Sequence, residues 1–184
     1  MTKTSQTHPL RIDAVETRPS GGKIGITFAP GKKDGAAFNG PWARDLDTDL
    51  DAIAKWGAKA LVTLIESDEM NLLGIRSLGE KAQQHGIEWL HHPIRDVSVP
   101  DGAFEAEWPD LARRLLALLD AGCNIVIHCR GGLGRAGMIS ARLLVEAGER
   151  ADTAIAQVRA ARPGAIETKA QEAWVASGPK LLGS

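Results

Sequence analysis

The sequence predicts an α/β fold, a central and mostly parallel sheet of about five strands flanked by helices. Short apolar runs bounded by polar residues, such as Ala60 to Ile65 and Asn124 to His128, have the composition of strands buried on both faces. Stretches with apolar residues at helical spacing alternate with these runs along the chain. Glycines close most of the helices, so the elements are short and well separated.

Residues 1–22 are polar and end in Arg18-Pro19-Ser20-Gly21-Gly22, which predicts an N-terminal arm with room for one short strand around Leu10 to Val15. Residues 23–184 read as a single domain. Lys23 to Phe28 alternates as a strand, and the Pro30-Gly31-Lys32-Lys33-Asp34-Gly35 run breaks regular structure. Leu46, Leu50, Ile53 and Ala54 predict a helix stopped by Gly57. Beyond the Ala60 to Ile65 strand, helical spacing runs from Leu72 to Gln84, and Ile87 to His91 reads as the next strand. A loop follows from Pro93 to Gly102. The run Trp108 to Leu119 predicts an amphipathic helix, Asn124 to His128 a strand, and Ala136 to Ala147 a helix closed by Gly148. Asp152 is placed to cap a helix reaching Ala161, Arg162-Pro163-Gly164 turns the chain, and Glu167 to Ala176 forms the last helix.

Composition narrows the function classes. With 184 residues, 43% of them hydrophobic and 24% charged, the chain can bury a core without disulfides or a structural metal. A formal net charge of −1 gives no basic excess for a nucleic-acid partner. Met1 to Pro9 has no apolar stretch, and nothing approaches the roughly 18 apolar residues that span a bilayer, so no membrane partner is expected. A cytoplasmic monomer is the expectation. The two cysteines, Cys123 and Cys129, lie along one predicted strand, where a bridge would distort the backbone, so at least one thiol should be free for chemistry.

The chemistry gathers between that strand and the next helix, in His128-Cys129-Arg130-Gly131-Gly132-Leu133-Gly134-Arg135. Gly131, Gly132 and Gly134 let the backbone turn tightly and aim its N–H groups inward, which makes an anion cradle. A helix N-terminus carries partial positive charge, which favours a thiolate at Cys129 and a phosphate beside it. Arg135 can return to the rim and grip two phosphate oxygens with its planar fork. His128 is placed to support the loop. Arg130, Gly131, Gly132, Leu133 and Gly134 are the expected phosphate-binding residues. Lys32, Lys33 and Arg130 could make the pocket mouth basic, although solvated surface is an equal reading for the two lysines.

The pattern His128-Cys129-x-x-Gly132-x-x-Arg135 resembles the signature loop of the protein tyrosine and dual-specificity phosphatases. Together with His91-His92-Pro93-Ile94-x-Asp96 and Gly164-Ala165-Ile166-x-Thr168, it resembles the kinase-associated phosphatase, or cyclin-dependent kinase inhibitor 3, family from about Phe28 to Trp174. That resemblance implies a phosphocysteine mechanism without metal or other cofactor, acting on phosphorylated protein at phosphotyrosine or phosphothreonine. The leaving group needs an acid. Asp96, just past a strand and far enough before Cys129 for a helix and a strand to intervene, is selected by spacing and by the family pattern. Asp101 is a reserve, better read as a turn or helix-cap residue. Trp108-Pro109-Asp110 spells the acid loop of receptor-type tyrosine phosphatases but lies too close to Cys129 and opens a helix, so it is a decoy. His91 and His92, adjacent on a strand, face opposite sides and suggest structural roles rather than a metal site.

Two positions depart from the family. Ala136 stands where Ser or Thr usually stabilises the departing thiolate, a hydrogen bond worth roughly 1.5–3 kcal/mol, so hydrolysis of the intermediate should be ten- to hundredfold slower. Glu167 stands where relatives have a glutamine that positions water, and its carboxylate would repel phosphate unless it is protonated or paired with Lys169 or an arginine. Gln171 matches a second glutamine and could compensate. These departures keep a weakly active or inactive phosphoprotein-binding pseudophosphatase in view. A phosphoinositide phosphatase is another alternative, although such enzymes tend to carry lysines inside the loop. A sulfurtransferase would need neither this loop length nor an upstream acid.

Overall fold

The structure is a computed structural model that describes residues 1–17, 21–38, 40–178 and 181. Arg18, Pro19 and Ser20 of the predicted turn lie outside the described residues. The strands are β1 (Asp13–Glu16), β2 (Lys23–Phe28), β3 (Lys33–Asp34), β4 (Trp42–Ala43), β5 (Ala58–Thr63), β6 (Glu88–His91) and β7 (Asn124–Cys129). The helices are α1 (Leu46–Lys55), α2 (Ser67–Leu72), α3 (Leu78–Gln84), α4 (Gly102–Asp120), α5 (Gly134–Glu146), α6 (Ala151–Ala161) and α7 (Lys169–Ser177).

Five strands form one sheet in the order β1-β2-β7-β5-β6, and β3 pairs with β4 apart from it. Only β1 runs antiparallel to its neighbour; β2, β7, β5 and β6 are parallel. This is the α/β sheet the apolar runs predict. β7 is central and lies between layers, so Ile125, Val126 and Ile127 are all fully buried rather than alternating. Helices α4 and α5 pack on one face, with α6 and α7 around α5, while α1 and α3 cover the other face near β5 and β6. The register aligns Phe28 with Cys129 and Thr63 with His128 and His91, so these strands end together along one edge of the sheet. The carboxyl edge of a parallel sheet is where a crevice opens for ligands.

Residues 1–17 lie against the domain. The Lys3 N–H donates to Pro41 and the Ala43 N–H to Lys3, while Thr27 Oγ1 donates to the Arg11 carbonyl at 2.8 Å.

Several element boundaries differ from expectation. The predicted helix from Leu72 to Gln84 starts only at Leu78, as α3, because the chain turns at Gly74 with φ 68°; a separate helix, α2, ends where the prediction begins. Helix α4 begins at Gly102, well before Trp108, because the Asp101 carboxylate accepts the Phe104 N–H at 2.9 Å and caps it. Trp108-Pro109-Asp110 therefore lies inside α4 rather than opening it, with Trp108 fully buried. Arg150, not Asp152, holds the N-cap position of α6; Asp152 sits in the first turn and pairs with Arg150 at 2.9 Å.

Candidate active site

Cys129 ends β7 and is 3% exposed, at the floor of a cleft of about 710 Å³ at the sheet edge. Both cysteines are free. The next residues loop into α5, which has no side-chain cap, and its first two residues, Gly134 and Arg135, line the cleft, so the first N–H groups of a full-length helix start there without a side-chain partner. Gly132 lies hard against the end of β2: a Cβ there would stand 2.5 Å from the Thr27 carbonyl carbon and oxygen. Arg162 fixes the outer side of the loop. Its Nε donates to the Gly132 carbonyl at 3.0 Å, its Nη2 to the Gly131 carbonyl at 3.1 Å, and its Nη1 to Asp13 at 2.7 Å. With those carbonyls held outward, the loop's amides are free to turn inward.

The inner side of the loop is held by His128, which is fully buried. Trp89 Nε1 can only donate, and it donates to Thr63 Oγ1 at 2.8 Å. The Thr63 hydroxyl then donates to His128 Nε2 at 2.8 Å, and His128 Nδ1–H donates to the Cys129 carbonyl at 3.3 Å. Burial pushes the imidazole down to about 4, so the ring is neutral, as this hydrogen-bond pattern requires.

Arg135, 2% exposed, comes from the first turn of α5 and reaches under the cleft. Nη1 donates to Glu69 Oε2 at 2.7 Å and to the Ile94 carbonyl at 2.9 Å. Nη2 donates to Glu69 Oε1 at 2.9 Å and forms a 2.8 Å ion pair with Asp96. Nε has no partner among the described residues. Burial pushes the Glu69 carboxyl up, but the hydrogen bonds from Arg135 and the Glu66 N–H outweigh it and hold Glu69 below the usual carboxylate range.

The structure therefore brings Cys129, Arg135 and Asp96 to one cleft. Asp96 is 56% exposed in the loop after β6, next to Val97, whose φ is 59°. Asp101 is the α4 cap and lies apart from them. Arg130 pairs with Asp34 at 2.9 Å, and both line the cleft. Lys32 is not solvated surface: it is 5% exposed, with Nζ 4.7 Å above the rings of both Phe28 and Trp42, and burial pushes it down to about 8. Lys33 lies in β3 with an exposed side chain.

Glu167 comes from the turn before α7, and Gln171 from the first turn of that helix. Gln171 is fully buried; its Oε1 accepts the Glu167 N–H at 2.9 Å and its Nε2 donates to the Ser98 carbonyl at 3.3 Å, joining α7 to the Asp96 loop. Lys169 pairs with Glu172 at 3.1 Å rather than with Glu167. His91 Nε2 hydrogen-bonds the Ile65 carbonyl at 2.9 Å, and His92 pairs with Glu107 at 2.9 Å. Among the described residues, no group of three or more His, Cys, Asp or Glu side chains is placed to hold a metal. Likewise no helix is long and apolar enough to cross a membrane.

Glu69 and Arg162 escape the sequence reading. Their signal is faint: Glu69 stands in the helix directly after the strand that pairs with β7, and Arg162 precedes a Pro-Gly turn.

Holding a phosphoryl group against a thiol in an amide cradle is the task of the cysteine-dependent phosphatases, and fold and site together define this chain as one. It belongs to the family described as Tc-R-P, polymorphic toxin system, DSP-PTPase phosphatase, whose model matches residues 37–149. The chain is 29% identical over 131 residues to human protein tyrosine phosphatase type IVA 3, covering 70% of this chain and 69% of that protein. It is 30% identical over 102 residues to rat cyclin-dependent kinase inhibitor 3, covering 55% of this chain and 47% of that one. Its fold matches the crystal structure of kinase associated phosphatase carrying a serine in place of the catalytic cysteine, with a TM-score of 0.78, 26% identity, and coverage of 91% and 92% of the two chains. Tk-PTP in its active form matches with a TM-score of 0.63 and 28% identity over 83% of this chain and 91% of that one. The relation to the cyclin-dependent kinase inhibitor 3 family that the motifs imply is thus met in both sequence and fold.

Proposed function

We propose that this chain hydrolyses phosphate monoesters on phosphorylated proteins, at phosphotyrosine, phosphothreonine or phosphoserine, through a phosphocysteine formed on Cys129. The observation that carries this reading is the convergence of Cys129, the uncapped start of α5 and the buried Arg135 fork at the floor of one cleft. The phosphoryl group sits in the loop from Arg130 to Arg135, its oxygens taking the inward N–H groups. Two of its oxygens bind Arg135 through Nε and Nη2, and the Nη2 contact displaces Asp96. Glu69 and the Ile94 carbonyl keep Nη1 fixed meanwhile, so the fork is positioned before the substrate arrives. Cys129 Sγ attacks phosphorus, the ester oxygen leaves with the P–O bonding pair, and Asp96, which takes up a proton once it is released from Arg135, passes that proton to the departing oxygen. Water then hydrolyses the phosphocysteine.

Between Cys129 and Arg135 the loop has one base, Arg130, and its charge is paired with Asp34, which leaves less for the additional phosphates of an inositol headgroup. This favours phosphoprotein. Cys129 and Asp96 at one cleft favour turnover over phosphoprotein binding alone. A reducing cytoplasm suits a free catalytic thiol.

The test is phosphate release from phosphotyrosine, phosphothreonine and phosphoserine peptides and from phosphoinositides. Cys129→Ser should reduce release from the peptides to background, and Asp96→Asn should lower it about 10²- to 10⁴-fold. Turnover that survives Cys129→Ser overturns the mechanism.

A further inference from the structure

Glu167 lies over the cradle. A Cβ placed on Gly134, the first residue of α5, would stand 2.2 Å from Glu167 Oε2, and Glu167 lines the same cleft as Cys129 and Arg135. Its carboxylate has no hydrogen-bond or ion-pair partner among the described residues. The neighbouring cations are engaged elsewhere: Lys169 with Glu172, Arg159 with the Ala165 and Ile166 carbonyls and Glu172, and Arg162 with the loop carbonyls and Asp13. The pairing that would neutralise Glu167 is therefore absent among these residues.

The backbone is constrained to put it there. Ile166, a β-branched residue, has φ 61°, a conformation such residues adopt only when their surroundings impose it. The imposing contacts are the Ile166 N–H to the Leu133 carbonyl at 3.3 Å, Arg159 Nη2 to the Ile166 carbonyl at 2.8 Å, and the Glu167 N–H to buried Gln171. Without them the exposed carboxylate would not be held toward Gly134. Constraint of this kind, next to a charged side chain that lines the cleft of the nucleophile, is where function is expected.

We infer that Glu167 is the base that activates water for hydrolysis of the phosphocysteine, leaving Asp96 as the acid of the first step; this rests on the phosphocysteine reading above. A carboxylate touching the transferred phosphate would be repelled, but one water interposed between them turns the same charge into a proton acceptor. In the step, the water oxygen bonds to phosphorus as the P–Sγ bond breaks. The bonding pair stays on sulfur as thiolate, and the water proton passes to Glu167 and then to solvent. Ala136 offers no hydroxyl to the departing sulfur, so activation of the nucleophile is the remaining lever on this step. Two carboxylates with different surroundings around one centre can divide acid and base work in this way. Asp96 is drawn to Arg135, whereas Glu167 is unpaired.

The experiment is rapid quench with a phosphotyrosine peptide, following peptide product and the mass of the acid-quenched enzyme. In Glu167→Gln, which keeps shape and hydrogen bonding, the first-step rate should match wild type, and the lifetime of the phosphoenzyme should lengthen about 10²-fold. Asp96→Asn should slow the first step instead. A Glu167→Gln phosphoenzyme that decays as fast as wild type, or faster, overturns the inference and makes the carboxylate a repulsive element. A different result, with no phosphoenzyme in wild type and turnover persisting in Cys129→Ser, would overturn the reading beneath it.

Discussion

Arg44 and Arg135 are both almost completely buried, at 1% and 2% exposure, and each grips a carboxylate with two nitrogens. Arg44 is closed on every side. Nε and Nη2 donate to Asp49, Nη1 donates to the His8 carbonyl at 2.7 Å, and the guanidinium lies 4.9 Å from the Phe28 ring and 5.5 Å from Trp42. Asp49 in turn accepts the Gly31 N–H at 2.8 Å, so this pair fastens the segment between β2 and α1. Arg135 is closed on one side only: Glu69 and Ile94 hold Nη1, while Nε is unpartnered among the described residues and Nη2 is shared with a half-exposed Asp96. The difference teaches that burial and a bidentate partner do not mark an arginine as structural. What marks Arg135 is the unfilled half of its fork, turned to the cleft.

The comparison can be broken most severely at Arg44. Arg44→Leu leaves Asp49 buried and unpaired, and should destabilise the fold by about 4 kcal/mol in denaturant unfolding, while the folded fraction keeps its kcat. Next comes Arg135→Lys, which keeps a charge but loses the fork. It should lower kcat/KM about 10²- to 10³-fold with a smaller change in unfolding midpoint than Arg44→Leu. If both variants lost stability and neither lost activity per folded molecule, the two arginines would be equivalent.

The smallest of the three effects concerns His128, which sharpens the contrast by showing a buried group that must remain uncharged. Its folded value of about 4 lies below the ordinary 6.5, so the unfolded chain binds the proton first as pH falls. The stabilisation is complete above 6.5 and is lost as pH drops towards 4, amounting to about 3 kcal/mol. Unfolding free energies at pH 7 and pH 4.5 should show this loss in wild type, and His128→Gln should remove most of it.

The parallel strands were legible because strands buried on both faces must be apolar at every position, and Ile125 to Ile127 are. The start of α4 was legible but missed: Phe104 stands four residues before Trp108 on the stripe that Leu111, Leu115 and Leu119 continue, and Asp101 caps the helix ahead of it, with Phe104 packed against Trp108 and Trp174. Cys129 and Arg135 could be read because the cradle is built from contiguous residues. Glu69 could not: its partner lies 66 positions away, and nothing local distinguishes its carboxylate from a solvated one. Lys32 shows the same limit, since only the tertiary meeting of Phe28 and Trp42 covers it.

The contact from Trp89 through Thr63 to His128 runs across the strands rather than along them, one residue from each of β6, β5 and β7. Its outermost member is seated by a glycine: a methyl at Gly79 of α3 would stand 2.3 Å from the indole of Trp89. The carbonyl of Cys129 is thus wired sideways to the sheet margin, and a single methyl group on a helix packed there would be felt at the nucleophile, three strands in.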